Sequence, residues 1–288
     1  MLVYVLQIAC FILFAVMVYL AKRRGELWFI LVATIYAAFF ENLDIILAHG
    51  QSGSYFYDPR LILLVVETPI FIILSWGVIF YSAYTIARGL CSRLFARVLT
   101  VPLIILLLDL ALDPVAARLG LWTWVGYGPS DGILGVPITN FVGWYLVMLG
   151  FMLSLLLVPH MKFLGRASKY IIIPPFSFVV FILLFSLYGF VASALNISKG
   201  SEVYFFLWFL FFITIIPLIL WFVLPAKHKI RREDYTLALG ARIFFYIFGF
   251  SGLFLYGLWQ EPIFIITLVF TAALEFLINI KFRLNATT

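Results

Sequence analysis

Long, continuously apolar stretches alternate with short polar connections along almost the whole chain. A helix needs about 20 apolar residues to cross a bilayer, whereas barrel strands would alternate apolar and polar positions over about ten residues. The pattern therefore predicts an all-α, polytopic transmembrane bundle forming one domain, residues 1–288. Nine helices are predicted: Leu2–Leu20, Leu27–Leu47, Leu61–Ile86, Leu94–Leu112, Ile133–Val158, Tyr170–Leu195, Val203–Leu224, Ala241–Leu258 and Ile263–Ile280. The last two are so close that a re-entrant hairpin, leaving eight spans, is the alternative.

The composition excludes several other classes of protein. Of the 288 residues, 65% are hydrophobic and only 11% are charged, whereas soluble domains have about 25% charged residues. A soluble globule, a disordered chain and a nucleic-acid binder are therefore excluded. The protein is expected in the cell membrane as a multi-pass protein.

The positions of the basic residues predict the orientation. Lys and Arg favour cytoplasmic connections, and the first apolar stretch is followed, not preceded, by the basic residues Lys22–Arg24. With the N-terminus outside, only Arg60, Arg118 and Lys199 of the 19 basic residues fall in outer connections. We therefore predict an outer N-terminus and a cytoplasmic C-terminus.

Acidic side chains within the predicted helices are functional candidates, because a charge at membrane depth is costly. Counting along the helices places five carboxyl groups and one carboxamide in one layer near the outer surface: Glu41 and Asp44 of helix 2, Glu67 of helix 3, Asp109 and Asp113 of helix 4, and Asn140 of helix 5. The two acids of helix 2, and likewise those of helix 4, share one helix face. Neighbouring buried carboxylates cannot both ionise cheaply, so at least one is expected to remain a proton donor near neutral pH.

Structural readings of the same residues remain open. Asp113 followed by Pro114 is also an ordinary helix beginning, with Asp at the N-cap and Pro at the next position. Asp109 has Arg118 as a candidate ion-pair partner. Asn140 is a polar residue of the kind that ties membrane helices together.

The sequence predicts neither a metal nor a cofactor. His49, His160 and His228 are dispersed without the spacing of a metal site, and the sequence contains no nucleotide-binding loop or nucleophile elbow. Asp109 and Asp113 resemble the Asp-rich signature of prenyltransferases, which hold diphosphate through magnesium. That site needs more acids and cations than the surrounding sequence offers.

Three motifs follow one another between residues 109 and 144: DxxxDPVA at 109–116, WxW at 122–124 and GVPxxNxxGW at 135–144. An upstream block contains Glu41, Gly53–Tyr57, Glu67–Pro69 and Trp76. In this order they resemble the carotenoid biosynthesis membrane family that contains the carotenoid 1,2-hydratases and the bisanhydrobacterioruberin hydratase. The resemblance covers roughly residues 36–160.

This resemblance implies a hydro-lyase that adds water to the terminal C1=C2 bond of an acyclic carotenoid end group. A neutral carboxylic acid would protonate C2, and water would capture the tertiary cation at C1 while a second carboxylate takes its proton. The implied catalytic residues are Asp113 or Asp109 as the acid, with Glu41 and Glu67 as alternates. The implied binding residues are Asn140, which would hold the water, and Trp122, Trp124, Trp144, Tyr55, Tyr57 and Trp76 around the end group.

Two other functions remain as alternatives. A lycopene-cyclase-like enzyme begins with the same protonation but lets an internal double bond capture the cation, so a dry site would favour cyclisation and a wet one hydration. A non-catalytic carotenoid or lipid binder, or a transporter, would use the acids as a proton relay. The expected partners are the carotenoid, the lipid bilayer and other carotenoid-pathway enzymes.

Overall fold

The computed structural model describes residues 2–158, 168–197, 201–224 and 231–287. Within them the chain forms nine long helices and one short one: α1 Leu2–Arg23, α2 Leu27–Ala48, α3 Ile70–Leu90, α4 Leu94–Arg118, α5 Ile138–Leu157, α6 Ser168–Ile171, α7 Ile173–Ala194, α8 Glu202–Val223, α9 Arg232–Leu255 and α10 Pro262–Thr287. Eight of these described helices are long and apolar enough to cross a membrane. The predicted all-α membrane bundle is therefore confirmed.

The last two predicted helices are both present in the described chain, as α9 and α10, joined by a 3-10 turn at Leu258–Gln260. Among the described residues, α9 contributes a shorter apolar stretch, Tyr235–Ser251. Several basic residues behind the predicted orientation, among them Lys162, Arg166, Lys199, Lys227 and Lys229, lie outside the described residues, as do His160 and His228.

Helix α3 begins at Ile70 and not at Leu61, so the predicted beginning of this span is wrong. Residues 61–69 instead contain two short antiparallel strands, β2 at Leu64–Val65 and β3 at Thr68–Pro69. Pro69 has φ −60° and ψ 133°, and its ring excludes the preceding residue from helical geometry. Glu67 therefore lies exposed in the turn between the strands and not in α3, and its backbone N–H donates to the side-chain oxygen of Asn42 in α2 at 2.8 Å.

Helix α4 continues through Pro114 to Arg118, which corrects two readings of the sequence. Asp113 lies inside the helix and not at an N-cap. The suggested pairing of Asp109 with Arg118 is also wrong, because the Arg118 guanidinium donates to the carbonyl oxygen of Pro129 and both carboxyl oxygens of Asp109 have no hydrogen-bond partner in the described chain. Both acids are fully buried, at 0% and 2% exposure.

A two-stranded ribbon covers one end of the bundle. Strand β1, Tyr55–Tyr57, pairs antiparallel with β4, Trp122–Trp124, so that Tyr55 lies opposite Trp124 and Tyr57 opposite Trp122. Because side chains alternate along a strand, the tryptophans are buried while Thr123 and Phe56 are exposed. We call residues 49–69 and 119–137, which contain this ribbon, the cap.

Helix α9 packs closely against the middle of α4. A Cβ atom at Gly249 would clash with the carbonyl oxygen of Ala111. Further from the cap, the buried Arg242 of α9 forms an ion pair with Glu275 of α10 and donates to the carbonyl oxygen of Ile104 at 2.9 Å. Glu275 thus lies apart from the acids near the cap.

Candidate active site

Two adjoining cavities lie beneath the cap, between the ends of the helices. The first, which we call the apolar chamber, has a volume of about 80 Å³. Its walls come from α1, α2, α3, α4, α5, α9 and both strands of the ribbon. The second, which we call the polar chamber, has about 290 Å³ and includes Asp44, Gln51, Ser52 and Thr139 in its lining. The chambers share six lining residues: Glu41, Tyr55, Trp76, Trp124, Asn140 and Trp144.

Glu41 accepts three hydrogen bonds at the boundary between the chambers. The hydroxyl groups of Tyr55 and Tyr57 donate to its Oε2 at 2.5 and 2.8 Å, and the indole N–H of Trp76 donates to its Oε1 at 2.5 Å. An ionised carboxylate only accepts hydrogen bonds, so three donors suit this form. Burial, with the charge of Glu41, raises the pKa of the Tyr55 and Tyr57 phenols, which therefore remain donors.

Asp113 lines the apolar chamber, and one of its carboxyl oxygens has no hydrogen-bond partner in the described chain. Its Oδ2 accepts a hydrogen bond from the side-chain amide of Asn140 at 2.5 Å, whereas its Oδ1 is buried and has no partner within the described residues. The α5 helix begins just after Pro137, which places Asn140 in its first turn, opposite this part of α4. The oxygen Oδ1 can therefore carry a proton.

Asp109 lies one turn before Asp113 on the same helix and lines neither chamber. Its carboxyl group is buried and interacts electrostatically with that of Asp113. Two buried carboxyl groups this close are stabilised when they share one negative charge and one proton. Asp109 can therefore influence the protonation of Asp113 without touching a ligand.

Aromatic rings surround the acids. Trp76 and Trp144 lie with their ring centroids 4.1 Å apart, and Tyr55 lies 4.8 Å from Trp124 across the ribbon. Tyr57 meets Trp122 edge to face, at an interplanar angle of 88°. The faces of such rings attract positive charge, so the chamber can accommodate a cationic intermediate.

The structure brings most of the predicted site residues together. The apolar chamber is lined by Glu41, Tyr55, Tyr57, Trp76, Asp113, Trp122, Trp124, Asn140 and Trp144. Asp109 lies behind the chamber and Glu67 lies outside it in an exposed turn, so the location predicted for Glu67 is wrong. In the described chain no three His, Cys, Asp or Glu side chains are grouped to hold a metal ion.

The sequence did not reveal the chamber wall opposite the acids. Leu6 and Cys10 of α1 and Phe245 and Phe248 of α9 also line it. These are apolar residues within apolar helices, so nothing in their local pattern separates them from residues that contact lipid.

A family model described as "Carotenoid biosynthesis protein" matches residues 1–207. The chain belongs to the carotenoid biosynthesis protein family. No curated protein and no solved structure gives a match. The matched part includes every acid and every tryptophan of the apolar chamber, but not Phe245 and Phe248 of α9. Family membership supports a role in carotenoid biosynthesis and agrees with an apolar site within a membrane bundle.

Proposed function

We propose that this carotenoid biosynthesis protein is a hydratase that adds water across the terminal C1=C2 bond of an acyclic carotenoid end group. The observation that carries the proposal is the position of Glu41 and Asn140, which line an apolar chamber on one side and a polar chamber on the other. An alkene and water must meet in this reaction, and each chamber suits one of them.

Asp113 is the proposed proton donor. Its Oδ1 has no hydrogen-bond partner in the described chain, and the neighbouring Asp109 disfavours a second negative charge. The proton of Asp113 moves to C2, the π electrons of C1=C2 form the new C–H bond, and a tertiary cation remains at C1. The faces of Trp76 and Trp144 and the charge of Glu41 stabilise this cation.

Water from the polar chamber completes the reaction. A buried water needs roughly 10–15 Å³, so a chamber of about 290 Å³ lined by hydroxyl and carboxyl groups accommodates several. The water oxygen forms a bond to C1 and passes a proton to the Asp113 carboxylate. The acid is thereby regenerated, and the product is a tertiary alcohol with no change in oxidation state.

The division of roles between the acids follows from their donors. Glu41 already accepts three hydrogen bonds, which favours a fixed carboxylate over a proton donor. Asp113 accepts one, from Asn140, and keeps an oxygen free. We therefore assign proton transfer to Asp113, electrostatic stabilisation to Glu41 and positioning of Asp113 to Asn140.

Expression in a host that accumulates acyclic carotenoids, followed by mass spectrometry of the pigments, tests the proposal. A product heavier by one water is expected from the wild type and from Glu233→Gln, which alters an exposed carboxyl group, but not from Glu41→Gln. An isomer of unchanged mass would indicate cyclisation instead. Absence of any product from several acyclic carotenoids would overturn both enzymatic readings and favour a binding protein.

A further inference from the structure

The hairpin at residues 61–67 exposes a continuous run of large apolar side chains. Exposure is 50% for Ile62, 62% for Leu63, 57% for Leu64, 40% for Val65 and 67% for Val66. Five consecutive exposed apolar residues are unusual on a surface that faces water. The run therefore indicates contact with something apolar.

The backbone of this hairpin is strained in a way that keeps the apolar side chains in place. Leu63 and Val66 have φ of 59° and 58°, in the left-handed region that glycine and asparagine usually occupy. Val66 is also the first residue of the two-residue turn between β2 and β3. Glycine would be usual at this turn position, so the valine retains an apolar side chain at the cost of strain.

The hairpin is attached to the two helices, α1 and α3, that form one wall of the apolar chamber. The backbone N–H of Ile62 donates to the side-chain oxygen of Gln7 in α1 at 3.2 Å. The backbone N–H of Ile70, at the beginning of α3, donates to the carbonyl oxygen of Leu63 at 2.8 Å. Gln7 follows the chamber residue Leu6, and Ile70 precedes the chamber residues Phe71 and Ile72. The hairpin thus bridges the cap ends of the two helices that form this part of the chamber.

The same end of α1 continues the apolar surface. Tyr4, Val5 and Ile8 are 48%, 55% and 60% exposed, as expected where a transmembrane helix contacts lipid. The hairpin run adjoins this lipid-facing surface through the Gln7 hydrogen bond. Asp58 and the exposed Arg60, which form an ion pair just before the run, limit it on the polar side.

We propose that the 61–67 hairpin inserts into the acyl-chain region of the leaflet next to the cap and forms the lip at which a carotenoid end group leaves the lipid for the apolar chamber. Insertion removes five apolar side chains from water, which is favourable, and leaves the charged side chains on either side of the run, those of Asp58 and Arg60 before it and of Glu67 after it, at the headgroups. The second part rests on the proposed function, because a long polyene is dissolved in the bilayer and must reach Asp113 from there.

A depth measurement tests the insertion. Leu64→Cys carries an environment-sensitive fluorophore in phosphatidylcholine nanodiscs, and Ser130→Cys, an exposed polar position of the cap, is the matched control. Cys10 and Cys91 are buried, and wild type treated with the same fluorophore corrects for any labelling of them. Strong quenching of position 64 by nitroxides on lipid acyl chains, with weak quenching by an aqueous nitroxide, is expected, and the reverse at position 130. Equal aqueous quenching of both positions would overturn the proposal.

A binding measurement tests the role of the lip. The double variant Leu63→Asn with Val66→Asn removes two apolar side chains while placing in the left-handed region a residue that tolerates it. Energy transfer from chamber tryptophans to an added acyclic carotenoid follows binding without turnover. A severalfold slower binding phase is expected for this variant but not for Phe56→Asn, whose side chain is exposed on the ribbon. An unchanged rate would overturn the role of the lip, whereas binding without a hydrated product would overturn only the proposed reaction.

Discussion

The substitution Asp113→Asn separates proton transfer from the structural role of this side chain. The asparagine oxygen can still accept the Asn140 hydrogen bond, which is 2.5 Å long in the wild type, and its amide group occupies the position of the free Oδ1. Aspartate and asparagine have nearly the same shape, so no cavity is created. The variant is therefore expected to fold but to lack a carboxylic proton in the apolar chamber.

The size of the effect follows from the role assigned to Asp113. A positioned general acid contributes about 10²–10⁴ in rate, which corresponds to about 3–5 kcal/mol of activation free energy. In the neutral acid and in asparagine alike, an uncharged oxygen accepts the Asn140 hydrogen bond, so the substitution costs at most about 1 kcal/mol of stability. Activity is therefore expected to fall far more than stability.

Initial rates in nanodiscs containing an acyclic carotenoid measure this effect, with the tertiary alcohol quantified by mass spectrometry. Thermal aggregation monitored by size exclusion reports the fold. Glu233→Gln provides the same loss of a carboxyl group at an exposed position and is expected to keep the wild-type rate. If Asp113→Asn kept more than about a tenth of the rate, a role as general acid would be refuted.

The structure leads to three further predictions. Tyr55→Phe removes one donor from Glu41 and should slow hydration about tenfold or more, since a hydrogen bond to a charged group contributes about 1.5–3 kcal/mol; an unchanged initial rate would contradict this. Arg242→Met leaves the buried carboxyl group of Glu275 without its cation and should cost about 3–5 kcal/mol in detergent unfolding, whereas the double variant with Glu275→Leu should regain most of it. A reporter fused after Arg283 should be cytoplasmic, and an external reading would reverse the predicted orientation.

Much of the site could be predicted because its motifs lie where helices meet the cap. Helix lengths alone place Glu41 near the end of α2 and Asp113 near the end of α4, and the turn after α4 carries the two tryptophans of the ribbon. Polar residues are rare in such a chain, so the few near one surface are informative. The positions of the acids along their helices thus predict that they lie close together, without knowledge of how Tyr55 pairs with Trp124 in the ribbon.

Other features depend on contacts that an apolar pattern does not record. An exposed apolar hairpin and the first turns of a transmembrane helix have the same hydropathy. The apolar pattern therefore places Glu67 in the third predicted helix. Pro114 suggested a helix boundary, yet it lies inside α4 because proline is tolerated in bilayer helices whose neighbours compensate. The contribution of Phe248 to the chamber depends on how α9 packs, and no local motif encodes that.

The absence of a side chain at Gly249 fixes how near α9 can come to α4, and hence where the rings of Phe245 and Phe248 stand relative to Asp113. The width of the chamber thus depends on a glycine that does not line it and that lies beyond the family-matched residues 1–207. A substitution at this contact between α9 and α4 can therefore change which end groups fit the chamber, while the acids and their chemistry stay as they are.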